Sequence, residues 1–320
     1  MNPVSLSIVI PVYNSSQTIN TLVSEIEKAV SILPHISFFD LILVNDGSAD
    51  SSLEMCKVVS EKRKWVKVID LSKNFGQHNA ILAGLRYATG DLVVCMDDDL
   101  QTQPVEIEKL FNLIIEKDYD TVFAKYSKRE DSFFRRFGSR VNDRMANWLI
   151  EKPKDISISS FFIAKSFVIK EIVKYKKPYP YIAGLIFRVT RNIGSVIVEH
   201  KEREIGKSNY TLSKLIGLWL NGFTNFSIKP LRLASLTGFI LSALGFIASL
   251  VIVIKKLIDP TVQVGWTSLM VGVIILGGIQ LLCIGLVGEY LGRIYMSINE
   301  TPQYIVKERI NINKSINDED

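Results

Sequence analysis

Residues 92–100, LVVCMDDDL, place an apolar run directly before three aspartates, and this arrangement decides the fold. A short apolar run bounded by polar residues is typical of a buried β-strand. Three adjacent carboxylates repel one another and are costly to hold together without a cation. Because side chains alternate along an extended backbone, Asp97 and Asp99 share one side of the chain. The stretch therefore predicts a buried strand that ends at a candidate metal site.

Similar apolar runs at 6–12, 41–45 and 66–71 precede this strand, and helical patterns separate them. A helix at about 104–116 and a strand at 120–125 follow. Strands that alternate with helices predict an α/β fold with a mostly parallel sheet and helices on both faces. Ligands of such folds bind at the carboxyl ends of the strands. The polar residues at these ends are Tyr13, Asn14, Asp46, Lys73, Asn74 and Asp97 to Asp99.

The periodicity is less regular from about residue 126 to 205, where we expect a helix at 133–150 and short strands around 156–164 and 194–200. The net charge is +5, and basic residues concentrate between Lys125 and Lys214. This basic segment is either a solvated face or a surface for phosphates and anionic lipid headgroups. No recognised nucleic-acid motif is present, so we expect no nucleic-acid partner.

The C-terminal third predicts a membrane-associated hairpin. Residues 210–226 are amphipathic and aromatic, which fits either a core helix or a helix lying in the membrane interface. Residues 233–254 and 265–288 contain no charge, and each is long enough to span a bilayer as a helix. Two spans joined by a short loop place both ends on one side. Lysines and arginines flank the outer ends, but Lys255 and Lys256 lie between the spans.

The N-terminus and the cysteines of the sequence support two further expectations. The first residues, MNPVSLSIVIPVYN, lack the basic start of a signal peptide, so we expect the N-terminal part to fold in the cytoplasm. The three cysteines are far apart, which predicts free thiols and no zinc site.

The patterns above divide the chain into four predicted parts. These are a catalytic domain (1–208), an interfacial helix region (209–230), two transmembrane helices within 231–290 (about 233–254 and 266–289) and a cytoplasmic C-terminal tail (291–320).

The paired aspartates suggest a specific cofactor. Two carboxylates on one side of a strand end can hold a hard divalent cation such as Mg²⁺ or Mn²⁺. Such a cation leaves positions open for diphosphate oxygens, and it would neutralise charge on a departing nucleotide diphosphate. Acidic turns are common in proteins, so the three aspartates alone are weak evidence for a metal site. Their position at the end of a strand in the α/β pattern strengthens this prediction.

Several motifs resemble those of a known family. The segments PVYN (11–14), NDGS (45–48), NFGQ (74–77), GD (90–91) and DDDLQ (97–101) resemble family 2 glycosyltransferases with the GT-A fold. The later segments are similar to bacterial polyisoprenyl-phosphate glycosyltransferases, which include dolichol-phosphate mannose synthase-like, GtrB-type and ArnC-type enzymes. These segments are SFFRRFGSR (132–140), EREIGKSNYTLSKL (202–215), KPLR (229–232), GEYLGRIY (288–295) and PQYIV (302–306).

The resemblance covers roughly residues 5 to 307 and implies roles for individual residues. A first group would bind the nucleotide-sugar donor: Pro11, Tyr13, Asn14, Asp46, Lys73, Gly76, Asp97 and Asp98. A second group, Asp97, Asp99 and Gln101, would surround the metal. A third group would line the acceptor-phosphate side: Lys125, Arg135, Ser139, Arg203 and Ser208. Relatives tend to carry an aspartate where this chain has Ser157, so Ser157 and nearby Asp155 are both open as its replacement.

A lipid phosphate makes an assigned base unnecessary. The second pKa of a phosphate monoester is about 6, so at neutral pH it is largely dianionic and already a nucleophile. Cations and metal need only bring two anions together. The resemblance implies an inverting, metal-dependent transfer from a nucleotide-sugar, a UDP-hexose by preference, to undecaprenyl phosphate. It also implies a multi-pass protein of the bacterial inner membrane with its catalytic domain in the cytoplasm, and a homo-oligomer for which a tetramer is one form.

Two other classes of protein remain as alternatives to a lipid-phosphate glycosyltransferase. A processive polysaccharide synthase would usually carry a QxxRW motif and more spans, and the sequence has neither. A non-catalytic membrane scaffold could use the same fold to bind a sugar nucleotide, although the intact DxD motif disfavours it. A channel or transporter is disfavoured because the apolar stretches contain no charge that could form a polar path.

Overall fold

The computed structural model describes residues 3–126, 156–177, 180–199, 265–299 and 302–312, with seven separate positions between 236 and 258. The chain divides into two compact units. The first combines Met1–Tyr210 with Pro302–Asp320, and the second is Thr211–Thr301. The helix predicted at 133–150 and the interfacial helix predicted at 209–230 lie outside the described residues.

Within the described residues, eight strands of the first unit form one sheet in the order β7-β5-β6-β4-β1-β2-β3-β8. The pairs β1–β2, β1–β4, β2–β3 and β5–β7 are parallel, whereas β6 and β8 run antiparallel to their neighbours. The predicted mostly parallel sheet is therefore confirmed. The strands are β1 (Val4–Val12), β2 (Ile36–Asn45), β3 (Val66–Leu71), β4 (Leu92–Cys95), β5 (Thr121–Tyr126), β6 (Phe162–Lys165), β7 (Ile193–Val198) and β8 (Val306–Ile310).

Helices cover both faces of this sheet, as the alternating pattern predicts. The helices are α1 (Ile19–Ser31), α2 (Ser52–Lys62), α3 (Gln77–Leu85), α4 (Ile107–Lys117), α5 (Ser166–Ile172) and α6 (Ile182–Val189). The apolar faces of α1, α2 and α4 form one core with Leu6, Ile8 and Ile10 of β1. The α3 helix packs on the other face. Gly84 permits its close approach, because a Cβ there would lie 2.4 Å from Cγ1 of Val9.

Local details differ from the sequence-based expectations. The strand expected over 156–164 begins only at Phe162, and the serine-rich residues before it have no regular structure. Ser51 occupies the N-cap of α2, and its side chain makes no capping hydrogen bond. Oδ1 of Asp50 accepts the Ser52 amide at 3.0 Å instead. The Asp50 side chain thus satisfies the first amide of the helix.

The last strand, β8, was not predicted, and it belongs to the first unit. It pairs with β3, and the amide of Ser72 donates to the carbonyl of Ile305 at 2.9 Å. An ion pair of 2.6 Å joins Lys57 to Glu308. The region that the sequence suggested to be a tail therefore includes a strand of the catalytic sheet. Its sequence, VKERI, is polar at three of five positions, which suits an exposed edge strand and gives no strong strand signal.

The second unit contains the long helix α7 (Trp266–Ile298). Many of its large apolar side chains are exposed, among them Leu269, Val273, Leu276, Leu281 and Ile284. Over the residues that the structure describes, no helix combines the length and the hydropathy required to cross a membrane.

Candidate active site

Hydrogen bonds join the carboxyl ends of the four central parallel strands. Oδ2 of Asp98, after β4, accepts the backbone amide of Tyr13, after β1, at 3.1 Å. The side chain of Asn14 reaches the loop after β2, where its Oδ1 accepts the amide of Ala49 at 2.8 Å. The residues expected at these strand ends are thus brought together at one edge of the sheet, where open α/β sheets bind ligands.

Asp46 holds the loop that follows β3. Its Oδ1 accepts the amide of Phe75 at 2.7 Å, and its Oδ2 accepts the amide of Gly76 at 2.9 Å. Burial raises the pKa of Asp46, although the two amide hydrogen bonds act in the opposite direction. Because α3 begins at Gln77, this carboxylate also lies at a helix N-terminus, where negative charge is favoured. Asp46 therefore has a structural task that sequence analysis missed, and its expected contact with the nucleotide stays a prediction.

Gly47 fixes the same loop from the other side. Its φ is +61°, and a Cβ there would lie 2.4 Å from the backbone carbonyl carbon of Lys73. Any L-residue with a side chain would have to displace the loop backbone. The Lys73–Gly76 segment, which we call the donor loop, is therefore packed directly on the turn after β2. Within it, Nζ of Lys73 lies 5.2 Å from the ring centroid of Phe75.

The three aspartates after β4 have different partners. Asp97 accepts hydrogen bonds from Gln77 Nε2 at 2.6 Å and from Ser160 Oγ at 2.5 Å. Oδ1 of Asp99 accepts the amide of Gln101 at 3.1 Å. Burial raises the pKa of Asp98 to about 6, and the charges of Asp97 and Asp99 add to the rise. Hydrogen bonds from Ser15 and the Tyr13 amide oppose it. Asp98 thus stabilises the loop after β1, while its two neighbours face other partners.

The donor atoms of this cluster fit a hard divalent cation. Asp97, Asp99 and Gln101 offer carboxylate and amide oxygens, the ligand type that Mg²⁺ and Mn²⁺ prefer. In the described part of the chain, no group of three or more His, Cys, Asp or Glu residues could hold a metal ion. Metal binding by Asp97, Asp99 and Gln101 therefore stays a prediction.

The other predicted site residues lie in several different elements of the fold. Pro11 is buried in β1 opposite Val44. Tyr13 is 44% exposed, Lys125 is exposed near the end of β5, and Ser157 is half-buried in the segment before β6. The remaining expected acceptor-side residues lie outside the described residues: Arg135, Ser139, Arg203 and Ser208.

Gln77, Ser160 and Tyr126 belong to the site although sequence analysis assigned them no role. Tyr126 is hydrogen-bonded with Thr102 and Ser160, and its pKa is raised, mainly by burial. Gln77 could have been found, because it ends the NFGQ motif. No sequence signal could have found Ser160, because its partner Asp97 lies 63 residues away.

The mixed sheet with an acidic cluster at the end of a central strand is the architecture of the GT-A glycosyltransferases. The chain belongs to glycosyl transferase family 2, whose family model matches residues 7–173. A second family model, the GtrB C-terminal hairpin, matches residues 229–294. The protein is therefore a glycosyltransferase with a GT-A domain and a GtrB-type hairpin.

Two similar proteins match almost end to end. One is named uncharacterized glycosyltransferase YkcC, from Bacillus subtilis (strain 168). It is 34% identical over 313 residues, which cover 97% of this chain and 95% of that protein. The other is an undecaprenyl-phosphate 4-deoxy-4-formamido-L-arabinose transferase from Yersinia pestis (strain Pestoides F). It is 33% identical over 322 residues, which cover 98% of this chain and 96% of that protein.

A solved structure supports the fold alone. The crystal structure of a mycobacterial protein superposes with a TM-score of 0.50 at 18% sequence identity. The match covers 66% of this chain and 70% of that chain.

Proposed function

We propose that this glycosyltransferase transfers a hexose from a UDP-sugar to undecaprenyl phosphate at the cytoplasmic face of the bacterial inner membrane. The reaction is inverting and requires Mg²⁺ or Mn²⁺. The observation that carries the proposal is the meeting of the donor loop and the Asp97–Asp99 cluster at one sheet edge, where Gln77 bonds directly to Asp97. The name of the Yersinia relative supports the choice of acceptor.

The donor side is preorganised by the protein itself. Asp46 and Gly47 hold the donor loop against the turn after β2, so binding does not have to order it. The exposed ring of Tyr13 offers an aromatic face for a nucleotide base. Preorganisation of this kind saves the entropy of ordering a loop at the moment of binding.

The acidic cluster would hold the metal through Asp97, Asp99 and Gln101. When bound, the cation neutralises the charge that develops on the departing UDP. In this proposal, the three residues would position the diphosphate at the end of β4. Because Asp98 is turned to the amide of Tyr13, it anchors the cluster to the donor side.

The acceptor brings its own nucleophile. A phosphate oxygen attacks the anomeric carbon, the bond from that carbon to the UDP oxygen breaks, and the electron pair leaves with UDP. No proton has to move, because the phosphate is already ionised at neutral pH. A serine at position 157 in place of an acidic residue is compatible with this chemistry. Lys125 and the basic segment that follows would hold the two anions together.

The membrane placement is supported by the hairpin and by the chain path. The GtrB hairpin model covers both uncharged stretches, 233–254 and 265–288. Exposed apolar side chains on α7 need a cover, which lipid or further copies of the chain would provide. The chain leaves the first unit before residue 211 and rejoins it at Pro302. Both ends of the hairpin therefore connect to the same domain, as two spans require.

We further propose that the protein forms a homo-oligomer. Mass photometry would test whether this oligomer is a tetramer.

The nature of the product tests this function. Membranes that contain the protein are given undecaprenyl phosphate, Mg²⁺ and a panel of labelled nucleotide-sugars. We expect an organic-extractable sugar–lipid from one donor, which Asp99→Asn abolishes. The matched control Asp118→Asn changes an exposed carboxylate that pairs with Lys165, and it leaves the yield unchanged. A water-soluble polymer would instead indicate a polysaccharide synthase, and donor binding without turnover would indicate a scaffold.

A further inference from the structure

Both oxygens of Asp97 are engaged by side chains from distant parts of the chain. Gln77 Nε2 donates to Oδ1 at 2.6 Å, and Ser160 Oγ donates to Oδ2 at 2.5 Å. The hydrogen bond described above for Asp99 comes from a backbone amide only two residues away. Two short side-chain hydrogen bonds to one carboxylate fix its rotation about the last side-chain bond. Asp97 is thus oriented by side chains from two other segments of the chain.

The two partners of Asp97 come from opposite sides of the site. Gln77 is the first residue of α3, and its position follows from the donor loop that Asp46 holds. Ser160 lies in the irregular segment before β6, three residues after Ser157. Asp97 therefore joins the donor loop to the segment that contains Ser157.

The Ser160 hydroxyl is itself oriented by a tyrosine. Ser160 has a single proton, which it gives to Asp97, so in its hydrogen bond with Tyr126 it must accept. Tyr126 in turn uses its only proton for Ser160 and accepts from Thr102. The result is a directed chain of hydroxyl groups, Thr102 to Tyr126 to Ser160, that ends on the carboxylate of Asp97.

We propose that Gln77 and Ser160 are positioning residues that orient the Asp97 carboxylate toward the divalent cation of the donor diphosphate. The inference rests on the proposed function, because it concerns the metal of that reaction. Two hydrogen bonds from separate elements fix the plane of the Asp97 carboxylate, so this ligand would not have to be ordered when a cation binds. Partners that orient a metal ligand typically contribute about 10-fold to 100-fold to metal affinity.

Manganese binding tests the proposal without relying on turnover. The purified full chain is titrated with Mn²⁺ in the presence of UDP, and free Mn²⁺ is followed by electron paramagnetic resonance. We expect Ser160→Ala and Gln77→Met each to weaken Mn²⁺ binding about tenfold. Ser160→Thr keeps the hydroxyl and should bind Mn²⁺ like the unmodified chain. The matched control is Ser159→Ala, because the Ser159 hydroxyl donates to the Phe161 carbonyl at 2.7 Å rather than to a carboxylate.

A kinetic measurement separates positioning from a general loss of structure. With the donor and acceptor that the product assay identifies, Ser160→Ala should raise the Mn²⁺ concentration for half-maximal rate about tenfold. The rate at saturating Mn²⁺ should fall far less. Unchanged Mn²⁺ affinity in both Ser160→Ala and Gln77→Met would overturn the inference, as would a loss that Ser160→Thr fails to rescue. If the unmodified chain forms no sugar–lipid but the variants still lose Mn²⁺ affinity, the proposed function fails and the positioning role stands.

Discussion

The Nε of Arg309, in the last strand of the sheet, donates to the hydroxyl of Tyr87 at 2.8 Å, across 222 residues of sequence. The guanidinium also lies 5.6 Å from the centroid of the Tyr87 ring. A second pair of the same kind lies nearby, where the guanidinium of Arg86 is 5.2 Å from the ring of Tyr304. Both pairs fasten the segment after the hairpin to the residues at the end of α3. The strand that follows the hairpin is therefore attached to the helix whose first residue contacts Asp97.

This attachment predicts a measurable contribution to stability. Arg309→Ala removes the hydrogen bond to Tyr87 and the cation–π contact with its ring, which together stabilise the fold by about 1–2 kcal/mol. We expect the thermal unfolding midpoint of the full chain to fall by a few degrees. Lys28→Ala, which removes an exposed ion pair within α1, serves as the control and should leave the midpoint unchanged. An equal midpoint for Arg309→Ala and the control would show that β8 is not held by this contact.

Gly47→Ala should impair donor binding more than catalysis. The new Cβ would overlap the backbone of Lys73, and alanine is strained at the positive φ of this position. Displacement of the donor loop should raise the KM for the nucleotide-sugar about tenfold, the effect of roughly 1.4 kcal/mol of lost binding. Initial rates at varied donor concentration measure this change. A KM equal to that of the unmodified chain would mean that the loop does not contact the donor.

His78 should make the fold less stable in acid. Its Nδ1 is buried with no hydrogen-bond partner among the described residues, and burial lowers its pKa to about 4. The unfolded chain takes up a proton near the ordinary pKa of 6.5, whereas the folded protein keeps this ring neutral. Its contribution to stability is therefore complete above pH 6.5 and is lost as the pH falls from 6.5 toward 4.

The variant His78→Phe checks this pH dependence. Phenylalanine keeps the edge-on contact with the ring of Tyr181, whose centroid lies 5.3 Å away, and it cannot be protonated. Thermal midpoints of both proteins are compared at about pH 7 and about pH 5. We expect the midpoint of the unmodified chain to fall more than that of the variant. Parallel losses in the two proteins would show that other groups cause the acid sensitivity.

Local patterns were sufficient to predict the central sheet and its functional edge. The run LVVCM before three aspartates, and the polar residues after the other strands, predicted β4 and the meeting of four strand ends. This works because parallel strands direct their carboxyl ends to one edge wherever they lie in the order.

Long-range contacts were beyond the reach of such patterns. The antiparallel insertion of β6 between β4 and β5, and the return of β8 to β3, depend on pairing between segments far apart in sequence. The segment VKERI has only a weak strand pattern, and it forms a strand because it pairs with the edge of β3. Likewise, nothing near Ser160 marks it as a partner of Asp97. The sequence motifs were sufficient to locate the carboxylates at the end of β4. The side chains that contact them are determined by the tertiary fold.

The role of the Asp97–Asp99 cluster in binding a divalent cation is tested most directly by the dependence of the reaction on free divalent cation. Sugar–lipid formation by the purified full chain is measured against free Mn²⁺, from excess EDTA to saturation. We expect no turnover in EDTA, saturable recovery on adding Mn²⁺, and a loss of about 100-fold or more in Asp99→Asn, as for other losses of transition-state charge stabilisation. Full-rate turnover with divalent ions removed would contradict the account, because the Asp97–Asp99 cluster would then have no cation to hold.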